Sequence, residues 1–410
     1  MQGAALRLEH APGSASPVTP AARVQAAIEL LDQVIEAAKV KGAPADRLIA
    51  QYFKTRRYAG SKDRRAVREL VYGAIRLCGP VPESGRAAML ALAQQDGSLV
   101  DLFDGSTHGP QPIGEGETPA RTGVAPDWLV ERLAASGIDG EEAAALLGRA
   151  PLDIRVNALK AHRDTIELPE PGETLSAPQA LRYPSGTQVE QWPQWREGLI
   201  EIQDHGSQWV CEAVGAQPGD TVIDLCAGAG GKTLNLAARL SNNVSLVAAD
   251  TDKRRLGNLA PRASKAGAQI DHTILLDPGR EMEALGPWAG KANHVLVDAP
   301  CSGSGTWRRN PESRWRLDSK ELERLTKLQA HVLDIASELV MPGGAVTFVT
   351  CSLLDEEGSD QIEAFRTRHP GWESVAVELP IGRPRGKGLR LTPYHDGTDG
   401  FFVAKLRSAC

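Results

Sequence analysis

The chain has 410 residues, 41% hydrophobic and 24% charged, and a formal net charge of −6. That length allows two or three domains of about 100–200 residues each, and the composition is that of an ordinary globular protein. No apolar run approaches the ~20 residues of a membrane-spanning helix, and MQGAALRLEHAPGSASPVTP lacks the basic start and apolar core of a secretory signal. Six scattered cysteines form no C-x-x-C pair, which argues against zinc and against a disulfide framework. The expectation is a cytoplasmic monomer with free thiols and no membrane or metal partner. If such an acidic chain binds RNA, its basic residues must be concentrated locally.

Residues 1–19 read as a disordered lead, and residues 20–149 as an all-helical domain. ARVQAAIELLDQVIEAAKV places Val24, Ile28, Leu31, Val34 and Ile35 on one stripe, the spacing of an amphipathic helix. APADRLIAQYFKTR and DRRAVRELVYGAIRLC continue the pattern, and the intervening FKTRRYAGSKDRRAVR carries seven basic residues against Asp63. Such a run is either a solvated face or a nucleic-acid contact. Residues 82–123 are rich in Gly and Pro and give weak signals, after which PDWLVERLAASG and GEEAAALLGRA read as two more helices. Residues 150–206 read as a small α/β connector with strands LDIRVNAL and GLIEIQ and a helix start at HRDTIEL.

From 207 to 410 strands and helices alternate. TVIDL, SLVAAD, QIDHTILL, HVLVDAP, AVTFVTCS and FFVAKL are the strand candidates. Alternation of this kind predicts an α/β, doubly wound, mostly parallel sheet that binds ligands at the carboxyl ends of its strands. DLCAGAGGKT, Asp224 to Thr233, joins the first of these strands to a helix through a glycine turn, as a nucleotide-like ligand requires. A phosphate-binding G-x-x-x-x-G-K-[ST] loop would need glycine at Cys226, and the dinucleotide pattern would need it at Thr233. An adenosine-binding turn remains, and Asp250, about 20 residues on, is spaced to take ribose hydroxyls. That combination points to S-adenosylmethionine.

Acids close four successive strands or the turns after them: Asp224, Asp250, Asp277 and Asp298. Each alone is equally well an N-cap or a turn residue, but the topology sets all four on one rim. Two strand ends also carry cysteines in polar turns: Cys301 in VLVDAPCSGSGTWRRNP and Cys351 in GGAVTFVTCSLLDEEG. A lone buried cysteine is ordinarily a small hydrophobe. Two at neighbouring functional ends point to chemistry.

These segments resemble the Nop/Sun family of RNA cytosine-C5 methyltransferases, in particular its RsmB-like bacterial branch. The resemblance runs from RYAGSKDRRAVRELVYGAIR through IRVNAL and GLIEIQDHGSQ to DAPCSGSGTWRRNP, VTCSLLDEEG and DGFFVAKL. It differs at Ala229, where the family turn has proline, and at His205, where the family commonly has glutamate. The resemblance implies a Rossmann-like methyltransferase domain and a NusB-like RNA-binding helical domain. It further implies Cys351 as the nucleophile that adds to carbon-6 of cytosine, Asp298 at the N3 edge of the ring, and Cys301 as the group assisting loss of the carbon-5 proton and release. The cofactor positions it implies are Cys226, Ala227, Gly228, Ala229, Gly230, Gly231, Lys232, Asp250, Asp277 and Asp298.

The implied substrate is RNA, with 16S ribosomal RNA favoured by the NusB-like front domain. A tRNA or 23S rRNA methyltransferase and a non-catalytic RNA-binding assembly factor are the alternatives. Three basic clusters are the expected RNA contacts: Lys54 to Arg68, Arg308 to Arg316 with Trp307 and Trp315 interleaved, and Arg383 to Arg390. Lys253 and Arg255 are either solvated helix starts or further groups near the cofactor.

Overall fold

A computed structural model describes residues 18–409. The expected lead over 1–19 lies outside the described residues except for Val18 and Thr19. The chain forms two compact units that divide between Ala125 and Pro126.

The first unit is helical. Its long helix Pro20–Lys39 starts on Thr19, whose hydroxyl accepts the Ala22 N–H at 3.1 Å, with proline at the first helical position. All five residues of the predicted stripe are buried. Helices Ala45–Thr55 and Ser61–Leu77 follow as the spacing predicts. A fourth, Gly85–Gln95, falls inside the stretch whose Gly and Pro content gave weak signals. It is an Ala- and Leu-rich helix capped by the Ser84 hydroxyl on the Ala87 N–H. Its first residue packs so tightly on the long helix that a Cβ at Gly85 would lie 2.2 Å from the Ile28 carbonyl oxygen.

The helices Asp127–Ala135 and Gly140–Ala145 belong to the second unit, not to the front domain expected to reach 149. The reason is a set of distant polar partners. Arg390 donates to the Ser136 carbonyl at 2.5 Å, the Ser136 hydroxyl accepts the Asp355 N–H at 3.0 Å, and Arg383 pairs with Glu142.

Two sheets build the rest of this unit. The smaller contains β1 (Leu152–Val156), β2 (Glu173–Thr174), β3 (Ala180–Tyr183) and β4 (Ile200–Ile202), antiparallel in the order β2-β3-β1-β4. HRDTIEL forms a turn closed on the His162 carbonyl, not a helix. Asn157 ties this sheet to the next layer: its buried amide donates to the carbonyls of Gly198 and Ala266 at 2.8 and 2.7 Å.

The larger sheet contains β5 (Thr221–Asp224), β6 (Ser245–Asp250), β7 (His272–Leu275), β8 (Ala292–Asp298), β9 (Val340–Thr350), β10 (Trp372–Val375), β11 (Arg383–Arg385), β12 (Gly388–Leu391) and β13 (Phe401–Ser408). Its order is β11-β12-β13-β9-β8-β5-β6-β7, with β10 also paired to β13. The run β7-β6-β5-β8-β9 is parallel, and β13 is antiparallel to β9. Three strands, β10, β11 and β12, were not expected. β11 and β12 form a hairpin from GRPRGKGLR, whose basic, Pro- and Gly-rich texture hides a strand, and Gly386 supplies the positive φ its two-residue turn requires.

Successive strand residues face opposite sides of the sheet. Ile223, Val247, Val295, Val346 and Phe348 meet helix Ser319–Leu339 on one side, and Val222, Leu246, Leu296 and Val349 meet helices His205–Val214 and Gly231–Arg239 on the other. Burial on both faces explains the continuous apolar runs of the central strands. Phe348 is fully buried in the first layer. Phe348→Ala should cost about 3–5 kcal/mol of stability, read by urea unfolding.

Candidate active site

The glycine turn between β5 and helix Gly231–Arg239 adopts a shape that only glycine permits. Gly228 and Gly230 have φ of 55° and 85°. A Cβ would lie 2.3 Å from the Arg255 guanidinium at Gly228 and 2.1 Å from Leu259 Cδ1 at Gly230. Around Gly231 nothing lies within 4 Å of such a Cβ, so the helix start opens onto free space. Helix starts carry N–H groups without intrahelical partners, a ready site for an anionic or polar ligand group.

The turn is latched from three sides. Gly228 N–H donates to Asp250 Oδ2 at 2.7 Å, Ala227 N–H to the Ala249 carbonyl at 2.9 Å, and Arg262 to the Ala229 carbonyl at 2.6 Å. Asp250, buried at the end of β6, also accepts the Asp252 N–H. Arg255, which sequence left open, lays its guanidinium against Gly228. Cys226 is partly buried beneath the turn. Asp277 lies just past β7 with a 69% exposed side chain and pairs loosely with Arg280.

The two cysteines meet because β8 and β9 are adjacent and parallel, with Asp298 in register with Val349. The turns that follow bring Cys301 Sγ and Cys351 Sγ to 3.3 Å, both as free thiols. The hydrogen bond with Cys351, together with burial, holds the Cys301 thiol well above its ordinary ionisation range. Lys232, from the glycine turn, donates to Asp298 Oδ2 at 2.5 Å. Burial disfavours its charge, but the Asp298 carboxylate, Cys211 and, least, Cys351 together outweigh that and hold the ammonium above its ordinary range. Lys232 therefore joins the glycine turn to the end of β8.

Behind the thiols lies a polar cluster that the sequence did not single out. Glu357 accepts from Ser302 N–H at 2.8 Å, from the Ser302 hydroxyl, and from Gln329 at 3.0 Å. The hydroxyls of Ser302, Ser352 and Ser304 form a chain with steps of 3.2 and 3.1 Å, and Gly305 N–H donates to the Cys351 carbonyl at 2.9 Å. The serines were visible in the two motifs. A glutamate in DEEG gives no hint that it is fully buried.

One of the three expected RNA-contacting clusters is largely internal, and a second is partly tied up in ion pairs, with Arg383 and Lys387 still exposed. Trp307, Arg308, Arg314 and Trp315 are buried. Arg308 and Arg309 pair with Asp399, and Arg309 also pairs with Asp204. Arg385 and Arg390 pair with Asp355. Their acidic partners lie far away in sequence, so local charge counting missed them. The first cluster differs: Lys54, Arg57, Lys62, Arg64, Arg65 and Arg68 are exposed.

Residues 212–407 match the family described as 16S rRNA methyltransferase RsmB/F. The probable ribosomal RNA small subunit methyltransferase B of Synechocystis sp. is 34% identical over 302 residues, covering 69% of this chain and 67% of that protein. The chain belongs to the RsmB/F methyltransferase family. The Enterobacter sp. ribosomal RNA small subunit methyltransferase B is 33% identical, covering 68% of this chain and 66% of its own length, so the matches span about two thirds of these relatives. The crystal structure of PH0851 superposes with a TM-score of 0.70 at 25% identity, over 95% of this chain and 99% of that one. As a methyltransferase of this family the chain uses S-adenosylmethionine as its cofactor, and the open helix start, positive-φ glycines and buried acids fit that ligand.

Asp224 supplies a pH test of this rim. Its Oδ2 accepts from the Thr233 hydroxyl at 2.6 Å, its other oxygen has no hydrogen-bond partner among the described residues, and burial pushes its carboxyl up to about 7. An unfolded aspartate ionises near pH ~4. Between those values the native state keeps a proton the unfolded chain has lost, so stability falls as pH rises and then levels off. Asp224→Asn should therefore be more stable than wild type at about pH 8, with the gain vanishing below about pH 4, in urea titrations of the cofactor-free chain.

Proposed function

We propose that the chain transfers a methyl group from S-adenosylmethionine to carbon-5 of a cytosine in RNA, through a covalent adduct at Cys351, with 16S ribosomal RNA as the substrate. The observation that carries this reading is the pair of free thiols 3.3 Å apart on adjacent strand ends, beside the Lys232–Asp298 pair. The names of the curated relatives favour the small-subunit RNA over tRNA or 23S rRNA.

Carbon-5 of cytosine is a poor nucleophile, and addition of a thiolate to carbon-6 makes it enamine-like, splitting one hard step into easier ones. Cys351 is that thiolate, with the Lys232 ammonium lending positive potential. Asp298, partly exposed and steadied by Lys232, meets the N3 edge and favours protonation there as the adduct forms. When bound at the glycine turn, the cofactor supplies an electrophilic methyl. Asp250, Arg255 and the backbone from Cys226 to Lys232 hold it, and Asp277 and Asp298 line the same rim. Cys301 then assists loss of the carbon-5 proton, whose bonding electrons restore the ring double bond and expel Cys351.

The reacting face of cytosine is hidden inside a helix, so the target base must be unpaired or flipped out. The six exposed cations of the first unit are the groups that engage the RNA backbone. An assembly factor without catalysis would have no use for two facing thiols.

Cys351→Ala should abolish methyl incorporation into RNA while leaving S-adenosylmethionine binding intact by calorimetry. Cys301→Ala should accumulate a protein–RNA adduct stable in denaturing gels. Normal turnover by Cys301→Ala with no adduct would refute the assigned roles. On the RNA-binding face, Arg65→Glu combined with Arg68→Glu should raise KM for RNA about tenfold or more and flatten its salt dependence, with cofactor affinity unchanged.

A further inference from the structure

Glu357 has no part in the chemistry set out above, yet it is fully buried immediately beyond the Cys351 turn. Its Oε1 accepts from the Ser302 N–H at 2.8 Å and from Gln329 Nε2 at 3.0 Å, and its Oε2 accepts from the Ser302 hydroxyl. Ser302 directly follows Cys301. Gln329 also donates to the carbonyl of Pro300, which directly precedes Cys301, at 2.9 Å. The chain on both sides of Cys301 is thus gripped by Glu357 and by a side chain bonded to Glu357. On the other strand, the Thr350 hydroxyl donates to the Glu357 carbonyl at 3.1 Å, and Thr350 directly precedes Cys351. One residue therefore spans both cysteine turns. The Gly305–Cys351 backbone bond and the Ser304 hydroxyl hold the far side of the Cys301 turn, while the 300–302 segment is held by Glu357 and Gln329, with the Ser352 hydroxyl also on that of Ser302.

A carboxylate suits this task because its bonds to N–H and O–H donors are charge-assisted and about twice as strong as neutral ones. We propose that Glu357 is a positioning residue for Cys301: it fixes the 300–302 turn so that the thiol faces Cys351, and it serves release of the covalent adduct rather than its formation. This rests on the covalent reading of the preceding subsection. Its negative charge also adds, after the Cys351 hydrogen bond and burial, to the influences that keep Cys301 protonated.

The test compares Glu357→Ala, Glu357→Gln, Ser302→Ala and Cys301→Ala in the full chain, with 16S ribosomal RNA transcript and labelled S-adenosylmethionine in single turnover. Glu357→Ala should bind cofactor and form the adduct as wild type does, while the adduct persists at least about tenfold longer. Glu357→Gln should restore most of the release rate, because its amide still accepts from the Ser302 N–H and can donate to the Ser302 hydroxyl. Ser302→Ala, which removes one arm of the grip, should give an intermediate lifetime and serves if Glu357→Ala does not fold. Wild-type release in Glu357→Ala or in Ser302→Ala overturns the proposal, as does a Gln variant as slow as the Ala variant. An adduct that persists in Cys301→Ala but not in Glu357→Ala removes only the role of Glu357. Absence of any adduct in Cys301→Ala removes the covalent reading itself.

Discussion

The register of two parallel strands is the constraint on which the site depends. Pairing of β8 with β9 sets Asp298 opposite Val349, and the turns beyond must then run side by side. A one-residue slip would exchange the faces of a strand and send its side chains to the wrong layer. With Val295, Val297, Val346 and Phe348 buried in one layer and Leu296 and Val349 in the other, the register is fixed by packing on both sides. The 3.3 Å approach of the thiols is thus a consequence of how the core is filled. The polar cluster around Glu357 refines an alignment that the apolar residues already impose.

Legibility from sequence followed the same division. The central strands were readable because burial on both faces leaves continuous apolar runs, and the glycine turn because positive φ and close approach exclude other residues. The hairpin of β11 and β12 was not readable, since an edge pair needs no such run and its residues are those of a loop. The helix Gly85–Gln95 was masked by the Gly and Pro around it, though its own sequence has good propensity. The helices after Pro126 were recognised as helices but grouped with the wrong unit, because what holds them, Arg390 and Asp355, lies more than 200 residues on.

Charge misled more than hydrophobicity did. Arg308, Arg309, Arg385 and Arg390 form dense local runs, which reads as a nucleic-acid surface, but each is matched by Asp204, Asp355 or Asp399. Arginine is the residue suited to such partly buried pairs, since its planar fork meets carboxylates with two parallel bonds. A basic run in a folded α/β unit therefore carries little information until its acids are located. The run in the first unit keeps its exposure along helices whose apolar stripe faces the other way, which amphipathic spacing did make visible.

The acids of the rim bear on the direction of the reaction. Asp224 feels Asp298 and Asp250 as well as its own burial, and Lys232 offsets them only in part. On the proposed reading, carboxylates at such a rim favour a cationic ligand over a neutral one of the same shape. The methyl donor carries a sulfonium charge that transfer removes. On the proposed reading, the buried carboxylates then hold the donor more strongly than the spent product, and the transfer itself loosens the site for exchange. Lys232 limits the effect by pairing with Asp298, which on the proposed reading reserves that carboxylate for the base and sets a positive charge near the Cys351 thiolate.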